Sequence, residues 1–412
     1  IDALVWLHMY VSVQHEEVSK GNFTSVVQGF IGRLKKLKKW GARPIVVFNG
    51  VSNEMKANTN SARSNKRDKM VKGLMEDLQA CLNAGEEPST ALMEKISQAN
   101  AGVTRDLVYA VIRQLRVEGY PYVVAPYEAD HTLAALLHEG FIQYIISVDS
   151  DMLVHHGGNV VVIPPGFWQD GLGILYDPAA NTAPADESTA LCDRPRDLGL
   201  IIDRVVGQHA CEPREAAAAV CLAYALLVDS DYHNLKGVGA ETALFVMELL
   251  LHRRVTLESW KDPDQLADIL CNNYAKQLRK EDVVSDMKRA KGGLLGGIAL
   301  HLAKREINHL DEKVAIDTGC IGRFGKTSFD REQVDLISLG LLCMRDGCGC
   351  QREKPKHHDV GPGYSVIQPQ DTVHPVQLTE DLIIGAKMCE EHVDSASRAQ
   401  LARWLRTRGQ FA

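Results

Sequence analysis

The chain has 412 residues, a formal net charge of -7 and 45% hydrophobic residues. This length allows one large domain with additions or two to three domains, and the composition is that of an ordinary soluble protein. The longest apolar runs, such as 216–228, are too short to span a bilayer, so no membrane segment is expected. Ten cysteines in a chain of this length do not indicate a disulfide scaffold and favour an intracellular, reducing compartment.

Charge is unevenly distributed along the chain. Residues 33–39 and 56–72 are strongly basic, whereas acidic residues lie at strand ends and in the C-terminal half. A basic segment attracts a polyanion even in a protein of negative net charge. Nucleic acid therefore remains among the candidate partners.

The predicted elements alternate between strands and helices through the first half. Ile1-Asp2-Ala3 has the pattern of a strand end, which suggests a truncated N-terminus. The elements that follow are helix 22–40, strand 42–48, helix 54–79, one or two helices in 87–116, strand 122–125, helix 127–138, and strands 144–148 and 160–163. This alternation predicts a doubly wound, mostly parallel α/β sheet, which binds ligands beyond the carboxyl ends of its strands. Asp2, Asn49 and Asp149 lie at such ends.

Composition changes mark further boundaries. The α/β core is expected to span 1–235, with a mobile insertion at about 177–200 that is rich in Ala, Pro, Thr and Asp. A nearly continuous helical region, 236–342, follows it. A segment dominated by Cys, His, Gly and Pro, 343–375, then separates this region from a small helical tail, 376–412.

Two carboxylate pairs share one spacing, the first opening a helix and the second leaving a strand. With two further acids they form the candidate set Asp2, Glu128, Asp130, Asp149, Asp151 and Asp231. Hard divalent cations require oxygen ligands, and so many carboxylates gathered without cations would repel one another. Two such ions about 3.5–4 Å apart activate a water and stabilise both reacting oxygens of a phosphodiester. The pattern therefore predicts hydrolysis of a nucleic-acid backbone, whereas any one of these acids alone is best interpreted as a solvated loop residue.

The segments around the two pairs resemble the internal motifs of the flap endonuclease and XPG family. They are 124–130, with the sequence VAPYEAD, and 149–153, with the sequence DSDML. Asp2 with the WLH sequence of 6–8, and 44–48 with Gly50, are similar to the family's N-terminal motifs in the same order. The resemblance covers about 1–250, and the exonuclease-one branch is the most similar. It implies a PIN-like nuclease core with a helical arch and a helix-two-turn-helix region, followed by a mainly helical extension.

The resemblance also implies an activity. A member of this family is a metal-dependent 5′ to 3′ exonuclease or flap endonuclease that hydrolyses DNA by a two-metal-ion mechanism at a 5′ flap, nick or recessed end. It would work in the nucleus, in DNA repair or replication. The family assigns the ligands of the two Mg²⁺ or Mn²⁺ ions as Asp2, Glu128 and Asp130 for one, and Asp149, Asp151 and Asp231 for the other.

Lys56 and Arg63 lie seven residues apart on one face of a predicted helix, and Lys66 and Arg67 continue its positive surface. Such a helix can receive the phosphates of a single strand, although a solvated basic face is the alternative. The resemblance identifies this helix as the arch, in which Lys56 and Arg63 match the residues that polarise the scissile phosphate. Lys66 and Arg67 would then contact DNA.

Lys236, Gly237 and Gly239 precede a helix that begins near Ala240. Without side chains in the way, backbone N–H groups there can face a phosphate, but an ordinary helix-initiating turn has the same pattern. The family places its helix-two-turn-helix here, which grips the duplex backbone and usually a monovalent cation such as K⁺.

Two features depart from the family pattern. Asn49 replaces an aspartate, which removes a negative charge beside the metals and predicts weaker activity. The loop from Asp231 to Gly237 is one residue short, which affects the expected geometry of both ends. A DNA-structure-binding protein with decayed chemistry is therefore the alternative to a nuclease. A phosphatase using Asp149 and Asp151 explains neither the other acid pair nor the basic helix.

Zinc ligands are available in the cysteine-rich segment. The candidates are Cys343, Cys348, Cys350 and His357. Because their spacing is not that of a standard finger, free reduced cysteines in a loop are the alternative. No protein partner is predicted.

Overall fold

The computed structural model describes residues 1–51, 53–147, 149, 151–156, 160–162, 174–176, 193–228, 230–323 and 331–338. Several predicted features lie outside these residues. They are most of the insertion, the cysteine-rich segment and the C-terminal tail, and with them the zinc candidates Cys343, Cys348, Cys350 and His357.

The α-helices of the described part are α1 (Ala3–Val13), α2 (His15–Ser19), α3 (Thr24–Lys39), α4 (Ala57–Asn83), α5 (Thr90–Asn100), α6 (Arg105–Glu118), α7 (Ala129–His138), α8 (Met152–His156), α9 (Asp193–His209), α10 (Pro213–Leu227), α11 (Ala240–Arg253), α12 (Pro263–Asn273), α13 (Lys280–Leu295), α14 (Glu312–Asp317) and α15 (Arg331–Ser338). The strands are β1 (Val46–Phe48), β2 (Tyr122–Val124), β3 (Ile145–Ser147), β4 (Val160–Val162), β5 (Ile174–Tyr176), β6 (Ile298–His301) and β7 (Glu306–His309). Short 3₁₀ turns span Glu54–Lys56, Leu257–Lys261 and Ile321–Arg323.

The first residues of the chain join two pairs of parallel strands. β1 pairs in parallel with β2, and β3 pairs in parallel with β4. Asp2 forms a parallel bridge with Val47 of β1, and its amide donates to the carbonyl oxygen of Ile146 in β3 at 3.2 Å. β5 is antiparallel to β4. The predicted α/β class with a small parallel sheet is confirmed, and the predicted strand end is an isolated bridge at Asp2, directly before α1.

Helices cover both faces of this sheet, because neighbouring residues of a strand point to opposite sides. Val46 and Phe48 of β1 lie in a core formed with α1, α3 and α6. Val47, between them, lies in a second core formed with α7, α8 and α10. The alternation fixes which side each helix occupies and leaves the carboxyl ends of the strands open at one edge.

The region after α10 differs from the nearly continuous helix expected there. β6 and β7 form an antiparallel hairpin, and the apolar run 298–300 lacks the alternation that would have distinguished a strand from a helix. Tertiary partners specify the hairpin instead: Leu300 N donates to Thr132 Oγ1 of α7 at 3.2 Å. α9 begins at Asp193, within the segment assigned to the insertion.

From the sequence we expected neither a membrane segment nor a disulfide scaffold. No helix among the described residues is long and apolar enough to cross a bilayer. The cysteines that the structure describes are free thiols, namely Cys81, Cys211, Cys221, Cys271 and Cys320.

Candidate active site

Acidic side chains from four segments meet at the carboxyl edge of the sheet. The charges of Asp2 and Asp149 act on the partly buried Asp130, and those of Asp149 and Asp231 act on Asp151. The segments are the first residues of the chain, the start of α7, the turn after β3 and the loop after α10. The structure thus brings together the predicted acids Asp2, Glu128, Asp130, Asp149, Asp151 and Asp231.

A serine that the sequence analysis did not single out ties the turn after β3 to Asp2. Asp2 is 5% exposed and caps α1 by accepting from Leu4 N at 2.9 Å. Ser147 Oγ donates to Asp2 Oδ2 at 3.5 Å and accepts from Asp149 N at 3.1 Å. Asp151 N donates in turn to Asp149 Oδ1 at 3.0 Å. Local hydrogen bonds therefore orient the carboxylates of Asp2 and Asp149.

Asn49, which follows β1, orients Glu128. Its Nδ2 donates to Glu128 Oε2 at 3.2 Å, and its Oδ1 accepts from Ala129 N at 3.1 Å. The next residue, Gly50, has no room for a Cβ, which would overlap the carbonyl oxygen of Ala125. Glycine at this position allows the end of β1 to approach the start of α7 closely.

Lys56 and Arg63 reach into the acids from the start of α4. Lys56 Nζ lies 3.3 Å from Glu128 Oε2 and 3.2 Å from Asp231 Oδ2, and its side chain is 8% exposed. Arg63 contacts Asp231 Oδ1 at 2.6 Å. Thr59, one turn from each, donates to the carbonyl oxygen of Asp231 at 2.7 Å. One face of α4 therefore docks on the loop that carries Asp231.

The acids remain short of positive charge despite these two cations. Burial, and then the charge of Asp149, raise the pKa of Asp2 to about 6 and that of Asp151 to about 7. Burial and the neighbouring carboxylates raise the pKa of Asp130 well above its ordinary range. Burial lowers the pKa of Lys56, but Tyr232 and the acids raise it more, so that it lies above its usual value. Lys56 stays protonated and Asp151 remains partly protonated near neutral pH.

The donor set suits a hard divalent cation, because its members are carboxylate oxygens. Burial and mutual repulsion raise the pKa of Asp2, Asp130 and Asp151 within it. As they are placed, however, no three His, Cys, Asp or Glu side chains of the described residues lie close enough together to hold one ion. The ammonium of Lys56 lies between Glu128 and Asp231 instead. A divalent cation would take over that neutralising role after small side-chain shifts.

The shortened loop still delivers Asp231 to the site. Ser230 N donates to the carbonyl oxygen of His233 at 3.1 Å. His233 Nε2 lies 2.9 Å from the carbonyl oxygen of Leu226, so that this nitrogen carries the proton and Nδ1 accepts from Ser230 Oγ at 2.8 Å. The sequence analysis missed Ser230 and His233, because a Ser-x-x-His spacing has no meaning until the loop closes.

The two other predicted DNA contacts of α4 differ in their surroundings. Lys66 is exposed. Arg67 donates to the carbonyl oxygens of Ala99 at 3.0 Å and of Asn100 at 3.1 Å, which end α5. Arg67 therefore joins α4 to α5, and a DNA contact for either side chain stays a prediction.

The turn before α11 exposes its backbone. Gly237 has a left-handed φ of 83°, and Gly239 precedes the first residue of α11. Leu235 and Val238 are buried, whereas Lys236 and both glycines are exposed. This arrangement leaves the start of α11 accessible to a phosphate; phosphate and K⁺ binding there stay predictions.

Comparison with known proteins finds two segments that match family models. The XPG N-terminal domain matches residues 1–70 and the XPG I-region matches 119–163. Together they contain Asp2 and both acid pairs. These segments are similar to the XPG and flap endonuclease family. The resemblance drawn from the sequence motifs is confirmed.

The relatives include exonucleases and flap endonucleases. Exonuclease 1 of Xenopus laevis is 32% identical over 154 residues, which are 37% of this chain and 20% of that protein. Exodeoxyribonuclease 1 of Saccharomyces cerevisiae is 34% identical over 155 residues, 37% and 21% of the two chains. Flap endonuclease 1 of Zea mays is 28% identical over 271 residues, which are 64% of this chain and 61% of that protein. The matched part of this chain spans about a fifth of the first two relatives.

Among solved structures, the catalytic core of Rad2 in complex with DNA substrate is 18% identical and covers 70% of this chain and 71% of that one, with a TM-score of 0.38. The match to the catalytic core of Rad2 in another complex covers 82% of this chain and 90% of that one, with a TM-score of 0.37. Scores of this size carry no argument about the fold.

Proposed function

We propose that the chain is a divalent-cation-dependent nuclease that hydrolyses DNA at a 5′ flap, nick or recessed end. The observation that carries this proposal is the meeting of the six acids with Lys56 and Arg63 at one edge of the sheet. Negative groups that can hold cations and positive groups that can hold a phosphate are both needed for phosphodiester hydrolysis. The similarity to XPG domains and to flap endonucleases supports the choice of DNA. We expect the protein to act in the nucleus, in repair or replication.

In this proposal the acids would hold two Mg²⁺ or Mn²⁺ ions, divided as the family divides them. Bound divalent cations supply a nucleophile from water and stabilise the charge that develops on the phosphate. Asp149 and Asp151 present their carboxylates from a turn that Ser147 ties to Asp2. Asn49 holds the Glu128 carboxylate at the start of α7. The chain itself thereby fixes the direction of the Asp2 and Glu128 carboxylates and the position of Asp149.

Lys56 and Arg63 would exchange partners when DNA enters. Without DNA they neutralise Asp231. A scissile phosphate offers both of them a stronger anionic partner, and the Arg63 guanidinium can contact it in a bidentate manner. Their transfer to the phosphate would free the carboxylate of Asp231. Substrate binding and completion of the acidic ligand set are thus coupled in this proposal.

The duplex would lie along the surfaces that flank this edge. No residue of α4, which the structure describes throughout, is buried, so its basic face is available to a 5′ strand. The turn before α11 offers backbone N–H groups at the start of a 14-residue helix, where a duplex phosphate is stabilised by unsatisfied donors and the helix dipole. These two surfaces account for a preference for DNA that has a free 5′ end.

A cleavage assay tests the proposal. Duplexes with a 5′-labelled flap, nick or recessed end are incubated with the protein in Mg²⁺ or in chelator. Shortened products are expected only with Mg²⁺, and Asp149→Ala and Asp151→Ala should abolish them. Asp203→Ala, which removes an exposed aspartate of α9, should cleave as the wild type does. Intact DNA after incubation of the wild-type protein with Mg²⁺ would refute the nuclease proposal.

Asn49 favours one second candidate, a DNA-structure-binding protein with little chemistry. Its amide uses one hydrogen bond on Glu128 and another on the α7 backbone, whereas an aspartate there would add a negative charge for a cation. Asn49→Asp separates the two candidates. A silent wild type that gains cleavage through this substitution is a decayed enzyme, and efficient wild-type cleavage eliminates the binding-only candidate.

A further inference from the structure

Two glycines, one in α13 and one directly after it, face aromatic rings that adjoin the acids. A Cβ at Gly293 would overlap the ring of Tyr232, and a Cβ at Gly297 would overlap the ring of His131. Tyr232 directly follows Asp231 in the sequence, and His131 directly follows Asp130. These glycines lie outside the segments that the XPG domains match. Residues of α13 and of the turn that follows it therefore pack against side chains that adjoin the candidate active site.

The Tyr232 ring is fixed from this side. Tyr232 is 4% exposed, and its backbone carbonyl oxygen accepts from Arg289 Nε of α13 at 2.8 Å. Because Gly293 has no side chain, the ring packs directly on the helix. A buried ring held at both its face and its backbone has little freedom to turn.

Lys56 rests on the same ring. Its Nζ lies 5.0 Å from the centroid of Tyr232, within the range of a cation–π interaction. The same nitrogen contacts Glu128 and Asp231. The ammonium thus contacts the ring as well as the two carboxylates, and a displaced ring is expected to displace Lys56.

The His131 ring packs against the same segment of the chain. His131 is 1% exposed, and its Nε2 donates to the carbonyl oxygen of Gly293 at 2.9 Å. Gly293 therefore contacts both rings. The Tyr232 ring packs where a side chain of residue 293 would lie, and the His131 ring donates to its carbonyl oxygen. The start of α7, with Asp130, is tied to α13 at this point.

We propose that Gly293 and Tyr232 are positioning residues, which hold Lys56 where it meets the scissile phosphate. The inference rests on the proposed nuclease function for its kinetic consequence. The placement of Lys56 can be measured without activity. Through Lys56, α13 would thereby take an indirect part in the chemistry.

Gly293→Ala is the first test, and Gly292→Ala is its matched control. A Cβ at Gly292 would lie 2.6 Å from Cys320 Sγ and 2.6 Å from Thr318 Oγ1, so this variant overpacks the same helix without meeting Tyr232. In single-turnover cleavage at saturating DNA, Gly293→Ala should lower the rate about 100-fold, the loss expected from misplacing a catalytic group by about 1 Å. The DNA concentration for half-maximal rate should change little. Gly292→Ala should keep the wild-type rate.

Acetylation of Lys56 provides the readout that does not depend on cleavage. Folded protein is treated briefly with acetic anhydride, and modification of Lys56 is quantified by mass spectrometry. Wild type and Gly292→Ala should protect Lys56, and Gly293→Ala should expose it to several-fold faster modification. Tyr232→Leu, which removes the ring without crowding α13, should do the same. Tyr232→Phe keeps the ring and should restore protection.

The outcomes separate the two proposals. If the wild-type protein does not cleave DNA, the nuclease proposal is refuted. The acetylation rates still test whether Gly293 and Tyr232 position Lys56. Equal acetylation of Lys56 in wild type, Gly293→Ala and Tyr232→Leu overturns the positioning role, as does equal loss of cleavage in Gly292→Ala and Gly293→Ala.

Discussion

Replacement of Lys56 by methionine removes the cation at the centre of the acids. The side chain is 8% exposed and contacts both Glu128 and Asp231. Loss of one partner from a buried ion pair costs about 3–5 kcal/mol, because a buried charge is left uncompensated. Asp231 is 23% exposed and keeps Arg63 at 2.6 Å, so we expect a value near the lower end, about 3 kcal/mol.

Urea unfolding in the presence of a chelator measures this loss. The control is Lys35→Met, the same substitution in a surface pair with Glu118 whose side chains are 56% and 27% exposed, where about 0–1 kcal/mol is expected. Mg²⁺ should recover part of the loss in Lys56→Met and none in Lys35→Met, because the cations then neutralise the same carboxylates. Equal losses in the two variants, or a Lys56→Met deficit that Mg²⁺ leaves unchanged, would refute this reasoning.

Three further predictions follow from the described contacts. The folded-state pKa values of Asp2, about 6, and Asp151, about 7, lie above their unfolded values, so stability present at low pH is lost as the pH rises through these values. In chelator the melting temperature should therefore fall between about pH 5 and about pH 8, and Mg²⁺ should raise it more at the higher pH; scanning fluorimetry that shows no such difference contradicts the shifts. Gly50→Ala should cost about 1–3 kcal/mol in urea unfolding and abolish cleavage, because the added Cβ overlaps the carbonyl oxygens of Ala125 and Pro126. Gly73→Ala on α4, with nothing described within 4 Å of its Cβ, should leave cleavage unchanged and raise stability by about 0.5–1 kcal/mol, because alanine favours a helix more than glycine does. Arg67→Ala should speed limited proteolysis between α4 and α5, since it removes the bonds to the end of α5, and unchanged digestion would dismiss that link.

The parts of the site that the sequence predicted are those encoded locally. A short apolar strand followed by an acid places Asp149 at a sheet edge, and the Pro126 turn before α7 places Glu128 opposite it. The strand character of Ile1-Asp2 was visible from three residues. Because parallel strands end at the same edge, these local patterns predicted that the acids would meet.

The parts that the sequence could not predict depend on contacts between distant segments. Nothing in a basic helix indicates that Lys56 is buried between Glu128 and Asp231, since the same spacing occurs on solvated faces. The glycine pair containing Gly293 acquires its meaning only when Tyr232, 61 positions earlier in the sequence, packs on it. The β6–β7 hairpin was missed for the same reason, because Thr132 of α7 supplies its partner.

The central claim is that the acids at the sheet edge form a divalent-cation site. Anomalous diffraction from crystals soaked in Mn²⁺ tests it most directly. We predict Mn²⁺ peaks within coordination distance of Asp149 and Asp151 and of Glu128 and Asp130, with Lys56 Nζ moved away from Glu128. An empty acidic edge at saturating Mn²⁺, with Lys56 still between Glu128 and Asp231, would contradict the claim.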